Sequence, residues 1–177
     1  MNLIRRHPKR SAAIIIFLLA FGFRVLGIKE TGGTWDEDIY YNSAYHYYFN
    51  LKSLDFSHAS WGWNFEHPPV AKYIYLPGAY LSQKLPDDAA FRPGVNYLPL
   101  RVESAVMGAL TCVLVFFIGV AVSQSLAAGV FSGIVLALLP QFAAYGKLVS
   151  LESPQTLFLT GALYFFLKLL GRKEKPG

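Results

Sequence analysis

Four apolar runs, residues 11–28, 98–122, 126–146 and 154–170, alternate along this chain with polar stretches broken by proline and glycine. Each approaches or exceeds the roughly 20 residues that span about 30 Å of hydrocarbon at 1.5 Å per residue, so the pattern predicts four transmembrane helices. Between the first and second runs, residues 29–97 are polar and aromatic and are interrupted by Thr31-Gly32-Gly33, Pro68-Pro69, Pro77-Gly78, Pro86 and Pro93-Gly94. That stretch reads as one large folded loop with helices near 35–50, capped by Thr34, and near 69–85. The second of these carries Lys72, Lys84 and Pro77-Gly78, which suits a helix lying along a membrane better than one crossing it. Pro99 opens the second run at a first-turn position, and Ser153 and Pro154 read as N-cap and first residue of the last. The third run holds Ala127, Ala128, Gly129, Ser132 and Gly133, small enough to let another helix approach closely. The predicted fold class is all-α integral membrane, a single module over residues 1–177 with four transmembrane helices and a large first external loop bearing juxtamembrane helices.

Composition agrees with a membrane class: 54% of residues are apolar and 15% charged. The net charge of +5 gathers in Arg5, Arg6, Lys9 and Arg10 at one end and Arg172, Lys173 and Lys175 at the other, which argues against a nucleic-acid face. By the positive-inside rule residues 1–10 and 171–177 are cytoplasmic, and the 29–97 loop and the 146–153 link are external. A fifth crossing through 69–85 would put the basic C-terminus outside, so four is the preferred count. A signal peptide is the alternative for the first run, but no small-x-small site follows it, and Arg24 is expected to snorkel to the headgroups. The chain is therefore placed as a multi-pass protein of an inner-membrane or endoplasmic-reticulum type. Cys112 stands alone, which excludes an intramolecular disulfide and a cysteine metal site.

The candidate chemistry concentrates in residues 34–72. Asp36-Glu37-Asp38 offers a general base for an acceptor hydroxyl, with a neighbouring acid to orient it. The same residues also fit a capping box, Thr34-x-x-Glu37, with acids favoured by the helix dipole, and Asp36 is the better catalytic candidate because Glu37 has the capping role open to it. Glu66-His67-Pro68-Pro69-Val70-Ala71-Lys72 fixes the backbone ahead of a helix and can aim His67 and Lys72 at a headgroup phosphate; a turn histidine and an anchoring lysine are the plainer alternative. Glu152, in the 146–153 link, falls on the same predicted face as Asp36. Arg101 and Lys147 are candidate phosphate partners or interface anchors. The five tyrosines of 40–48 read as an aromatic belt rather than a sugar platform. No metal site and no cofactor is predicted.

Taken together these motifs resemble the N-terminal part of the GT-C glycosyltransferases, in the protein O-mannosyltransferase and aminoarabinose-transferase-like branch. Trp35-Asp36-Glu37 through Tyr41 is similar to that family's first-loop Asp-Glu motif, and His67-Pro68-Pro69-Val70-Ala71-Lys72 to its His-Pro-Pro-Leu-x-Lys motif. Arg101-x-x-Ser104-x-x-x-Gly108 resembles the start of its second span, and Leu148 to Ser153 the segment carrying a second acid, usually Asp where this chain has Glu152. The resemblance implies transfer of a mannose-like sugar, with inversion, from a polyprenyl- or dolichyl-phosphate donor to a hydroxyl on a protein or glycolipid acceptor. It implies Asp36, Glu37 and Glu152 as catalytic acids, and His67, Lys72 and Arg101 as donor-phosphate ligands. Members of that family continue through further spans, so the chain is expected to be incomplete and to be completed by a continuation or a second chain. A non-catalytic polyprenyl-phosphate-binding or accessory protein is the alternative, and a purely structural helix bundle a third.

Overall fold

The computed structural model describes residues 7–65, 67–86 and 92–173, and every regular element among them is a helix. The long helices are α1 (Pro8–Val25), α2 (Trp35–Ser53), α5 (Leu98–Ser123), α6 (Leu126–Leu138) and α8 (Glu152–Lys173). Between them lie a 3-10 turn (His58–Trp61) and the short helices α3 (Pro69–Ile74), α4 (Leu76–Ser82) and α7 (Pro140–Tyr145). α5 is the axis: α1, α6 and α8 pack along it, and α4 packs on its first turns.

Prolines set several of the breaks. Pro140 and Pro77 each sit at the start of a helix, where the missing N–H costs nothing, and each separates its short helix from the preceding one. The run expected over 126–146 is therefore two helices, with Leu139 extended between them. The helix expected over 69–85 is likewise split at Tyr75. α8 begins at Glu152, so Ser153 lies inside its first turn and is not the cap.

Of the four expected spans, α5 alone among the described residues is long and apolar enough to cross a membrane. α6 has 13 residues, which rise about 20 Å and fall short of a hydrocarbon core. α1 fits Lys9, Arg10 and Arg24 into 18 residues, and α8 is diluted by the polar start Ser153 to Thr156 and by Lys168. The four-span fold class is corrected accordingly. The multi-pass localisation falls with it, as does the external placement of the site, since both followed from counting four crossings.

Two apolar cores lie along α5. One joins α1, α5 and α6 through Ile16, Ala20, Cys112, Phe116 and Ala137. The small residues of α6 face α5: a Cβ on Gly129 would fall 2.3 Å from Val120 Cγ2 and 2.8 Å from the Phe116 carbonyl oxygen. The Ser132 hydroxyl donates across the same contact to the Val115 carbonyl at 3.3 Å. The second core is aromatic and seats α2, α3 and α4 on the start of α5, with Tyr40, Tyr41, Tyr75 and Tyr97 around Leu100, Met107 and Val149. Ring centroids lie 6.0 Å apart in the Tyr40–Tyr75 and Tyr41–Tyr97 pairs, a spacing that adds about 0.5–1.5 kcal/mol per pair beyond area burial. The tyrosines expected as a belt are thus mostly core. The 3.6-residue period puts Glu37, Tyr40, Tyr41, Ala44 and Tyr47 on one buried face of α2, while Tyr45 and Tyr48 are half-buried.

Candidate active site

The N-terminus of α2 carries the capping box its sequence predicts. Thr34 is extended, its hydroxyl accepts from the Glu37 amide at 3.4 Å, and the Glu37 carboxylate accepts from the Thr34 amide at 3.1 Å. Glu37 does more than cap, because its side chain is fully buried against Arg101. Arg101 Nε donates to Glu37 Oε1 at 2.7 Å and Nη2 donates to Oε2 at 2.8 Å. The remaining guanidinium hydrogens go to the carbonyls of Ile28 (2.9 Å), Thr31 (2.9 Å) and Gly32 (3.2 Å). All five N–H donors of Arg101 are therefore spent inside the chain. Glu37 Oε1 also accepts from the Val149 amide at 3.2 Å. One ion pair joins α2, the α1–α2 loop, α5 and the link before α8.

A buried pair of this kind is stabilising only when geometry and further hydrogen bonds offset a desolvation cost of several kcal/mol per ion. Here both planar groups are bonded along their whole polar edge. Asp36, one residue earlier, is exposed, and Asp38 is half-exposed. Asp38 accepts from Arg92 and from the Tyr97 hydroxyl, both at 3.2 Å. Burial, then the neighbouring Asp38 charge, hold the Tyr97 phenol well above its usual range.

Lys72 is 1% exposed, and its ammonium donates to the Trp63 carbonyl at 2.8 Å and to the Asn64 carbonyl, 5.6 Å from the Tyr47 ring centroid. It ties the 63–67 turn to α3 and α2. His67 closes that turn, its amide donating to the Asn64 carbonyl at 3.2 Å, and its ring meets Tyr40 edge-on at 6.1 Å. His67 Nδ1 is buried without a hydrogen bond. Glu66, part of the same sequence motif, lies outside the described residues. Lys147, the other candidate cation, donates to the Leu26 carbonyl and so closes the C-terminus of α1.

Glu152 is exposed at the first position of α8, three residues after Val149. It lines a cavity of about 230 Å³ with Gly108, Phe142, Gly146, Ser153 and Thr156. The structure thus gathers Glu37 and Arg101 at one node, with Asp36 beside it in sequence, and sets Lys72 and His67 on a second node. Among the described residues no hydrogen bond or ion pair joins Asp36, His67 and Glu152 to one another, and no group of three His, Cys, Asp or Glu side chains is placed to hold a metal.

Sequence reading missed the seat of Arg24. It is fully buried rather than snorkelling, with Nη1 on the Ala20 carbonyl at 2.8 Å, Nη2 3.9 Å from Cys112 Sγ, and the guanidinium 4.8 Å over the Phe142 ring. A Cβ on Gly108 or Gly146 would lie 2.4 or 2.5 Å from Nε, so both glycines make room for it. Gly108 in the Arg101-x-x-Ser104-x-x-x-Gly108 pattern was the available signal, but its partner is 84 positions upstream (108 − 24). Equally hidden was Tyr75, whose hydroxyl donates to the Ser150 carbonyl and bonds the Ser104 hydroxyl, both at 2.8 Å, and whose burial raises its phenol well above the ordinary range.

The helical cap is thus seated on the long apolar helix α5 through the Arg101–Glu37 clamp, with Asp36 and Asp38 flanking the buried acid. The model of the dolichyl-phosphate-mannose-protein mannosyltransferase family matches residues 14–176, and the chain belongs to that family. Neither a curated protein nor a solved structure matches it.

Proposed function

We propose that this protein transfers a mannose-like sugar from a polyprenyl- or dolichyl-phosphate donor to a hydroxyl of a protein or glycolipid acceptor, with Asp36 as the general base. The observation that carries the reading is the contrast between two adjacent acids. Glu37 is locked by Arg101, Thr34 and Val149, whereas Asp36 is exposed on the same first helical turn. The clamp holds the backbone that presents Asp36, which is how a catalytic carboxylate is kept in register without being consumed.

In this mechanism the acceptor oxygen attacks the anomeric carbon, Asp36 takes its proton, and the bond from that carbon to the phosphate oxygen breaks with its electron pair left on the phosphate. His67 faces the donor phosphate, and Glu152 forms the acidic wall opposite. Lys72 and Arg101 serve as positioning residues: the first holds the turn that carries His67, and the second holds Glu37. Their committed hydrogen bonds favour this role over direct phosphate contact.

The test is transfer of mannose from dolichyl-phosphate mannose to a serine- and threonine-bearing peptide by Asp36→Asn. Loss of a general base predicts a fall in kcat of about 10²–10⁴-fold with unchanged melting temperature. Undiminished turnover by this variant would remove Asp36 from the chemistry.

A further inference from the structure

A cavity of about 430 Å³ opens between α2, the end of α4 and the segment before α5, and is lined by Tyr41, Asn42, Tyr45, His46, Gln83 and residues 92–95. Its walls are mostly polar, whereas those of the other cavities are apolar. The volume falls within the roughly 300–1,000 Å³ range of small-molecule sites.

Its chemistry is specific. The Tyr41 and Tyr45 rings stand 5.8 Å apart, and the His46 imidazole meets Tyr45 edge-on at 5.9 Å. His46 itself is held by a parallel stack on Trp63, 3.8 Å between centroids and 9° between planes, so this wall is rigid. Around the rings sit uncommitted polar groups. Arg92 spends Nη1 on Asn42 (2.7 Å) and Asp38 (3.2 Å), leaving Nε and Nη2 without a hydrogen bond among the described residues. Gln83 donates through Nε2 to the Ala79 carbonyl at 3.2 Å, which leaves its carbonyl oxygen to accept. The Arg92–Asp38 pair neutralises the rim, so the pocket carries no net demand for an anion. Flat aromatic faces with donors and acceptors at their edges match a ring that is apolar on its C–H face and hydroxylated around its rim.

We propose that this pocket binds a neutral pyranose, at a site separate from Asp36 and His67. The ring stacks on Tyr45 while its hydroxyls accept from Arg92 and donate to Gln83. The proposal does not depend on the transfer mechanism, because it concerns residues that mechanism does not use.

The experiment titrates methyl α-mannopyranoside into the full chain, followed by intrinsic tryptophan fluorescence and by calorimetry, with sorbitol as an acyclic polyol control. Saturable binding is expected for the pyranoside and not for sorbitol. Gln83→Leu and Arg92→Gln, both at exposed positions, each raise Kd about tenfold with melting temperature unchanged, while Asp36→Asn leaves Kd as it is. Absence of pyranoside binding, equal binding of sorbitol, unaltered Kd in both pocket variants, or occupation of the pocket by a hydroxyl-bearing peptide in place of the sugar would each overturn it. Lost turnover with retained pyranoside binding in Asp36→Asn separates the two sites.

Discussion

Arg101 and Glu37 show how far a residue's meaning depends on what it touches. From sequence each is a charged side chain near an apolar run, suited to a phosphate or a proton. In the fold they neutralise each other out of water, and removing one leaves the other buried and unpaired. Glu37→Gln is expected to cost about 3–5 kcal/mol of stability, whereas the double variant Glu37→Gln with Arg101→Met recovers much of it, measured as urea midpoints. A second residue-scale expectation concerns His46. Burial lowers its pKa below the usual imidazole value, so the unfolded chain takes up a proton at higher pH than the folded one. The resulting stability is complete above about pH 6.5 and is lost as pH falls through the folded-state pKa. His46→Phe should flatten that part of the stability profile. A dependence that survives the substitution would assign it to another group.

At the scale of elements, the α5–α6 contact is the one most sensitive to side-chain size. Gly129 packs against the Phe116 carbonyl and the Val120 backbone and side chain with no room for a Cβ. Gly129→Val should lower stability by about 1–3 kcal/mol through overpacking, read as a shift in melting temperature, while Gly22→Ala in α1, with nothing within 4 Å of its new Cβ, should not. The capping box at Thr34, the starts of α3 at Pro69 and of α5 beside Pro99, and the small residues of α6 were readable beforehand, because each is a local rule acting over a turn or two. The breaks at Tyr75 and Leu139 were less so. An apolar run looks continuous in composition even where a proline divides it into helices with different partners.

For the whole molecule, α5 makes contact with α1, α4, α6 and α8, so unfolding any neighbour still leaves it partly covered. Native-state hydrogen exchange should therefore show the slowest amides in residues 104–120, and faster exchange in the outer turns of α8, where Phe158, Leu159, Phe165 and Phe166 are exposed. Uniform exchange across α5 and α8 would contradict this hierarchy. The same centrality explains why apolar runs were overcounted as spans. Hydropathy measures how little a segment prefers water, and it does not distinguish a helix facing lipid from one facing α5.

The sequence by itself determined that the chain is helical, where its acids and cations cluster, and to which family it belongs, since these depend on periodicity, caps and residue order. Tertiary structure alone decided which charges are spent and which are available. Arg101, Lys72 and Lys147 look alike along the chain, yet all three give their hydrogen bonds to partners far from them in sequence or across a turn, whereas Asp36 stays exposed. The physical reason is that a charge's role is fixed by desolvation and by the geometry of its partners, and both arise only when distant segments meet.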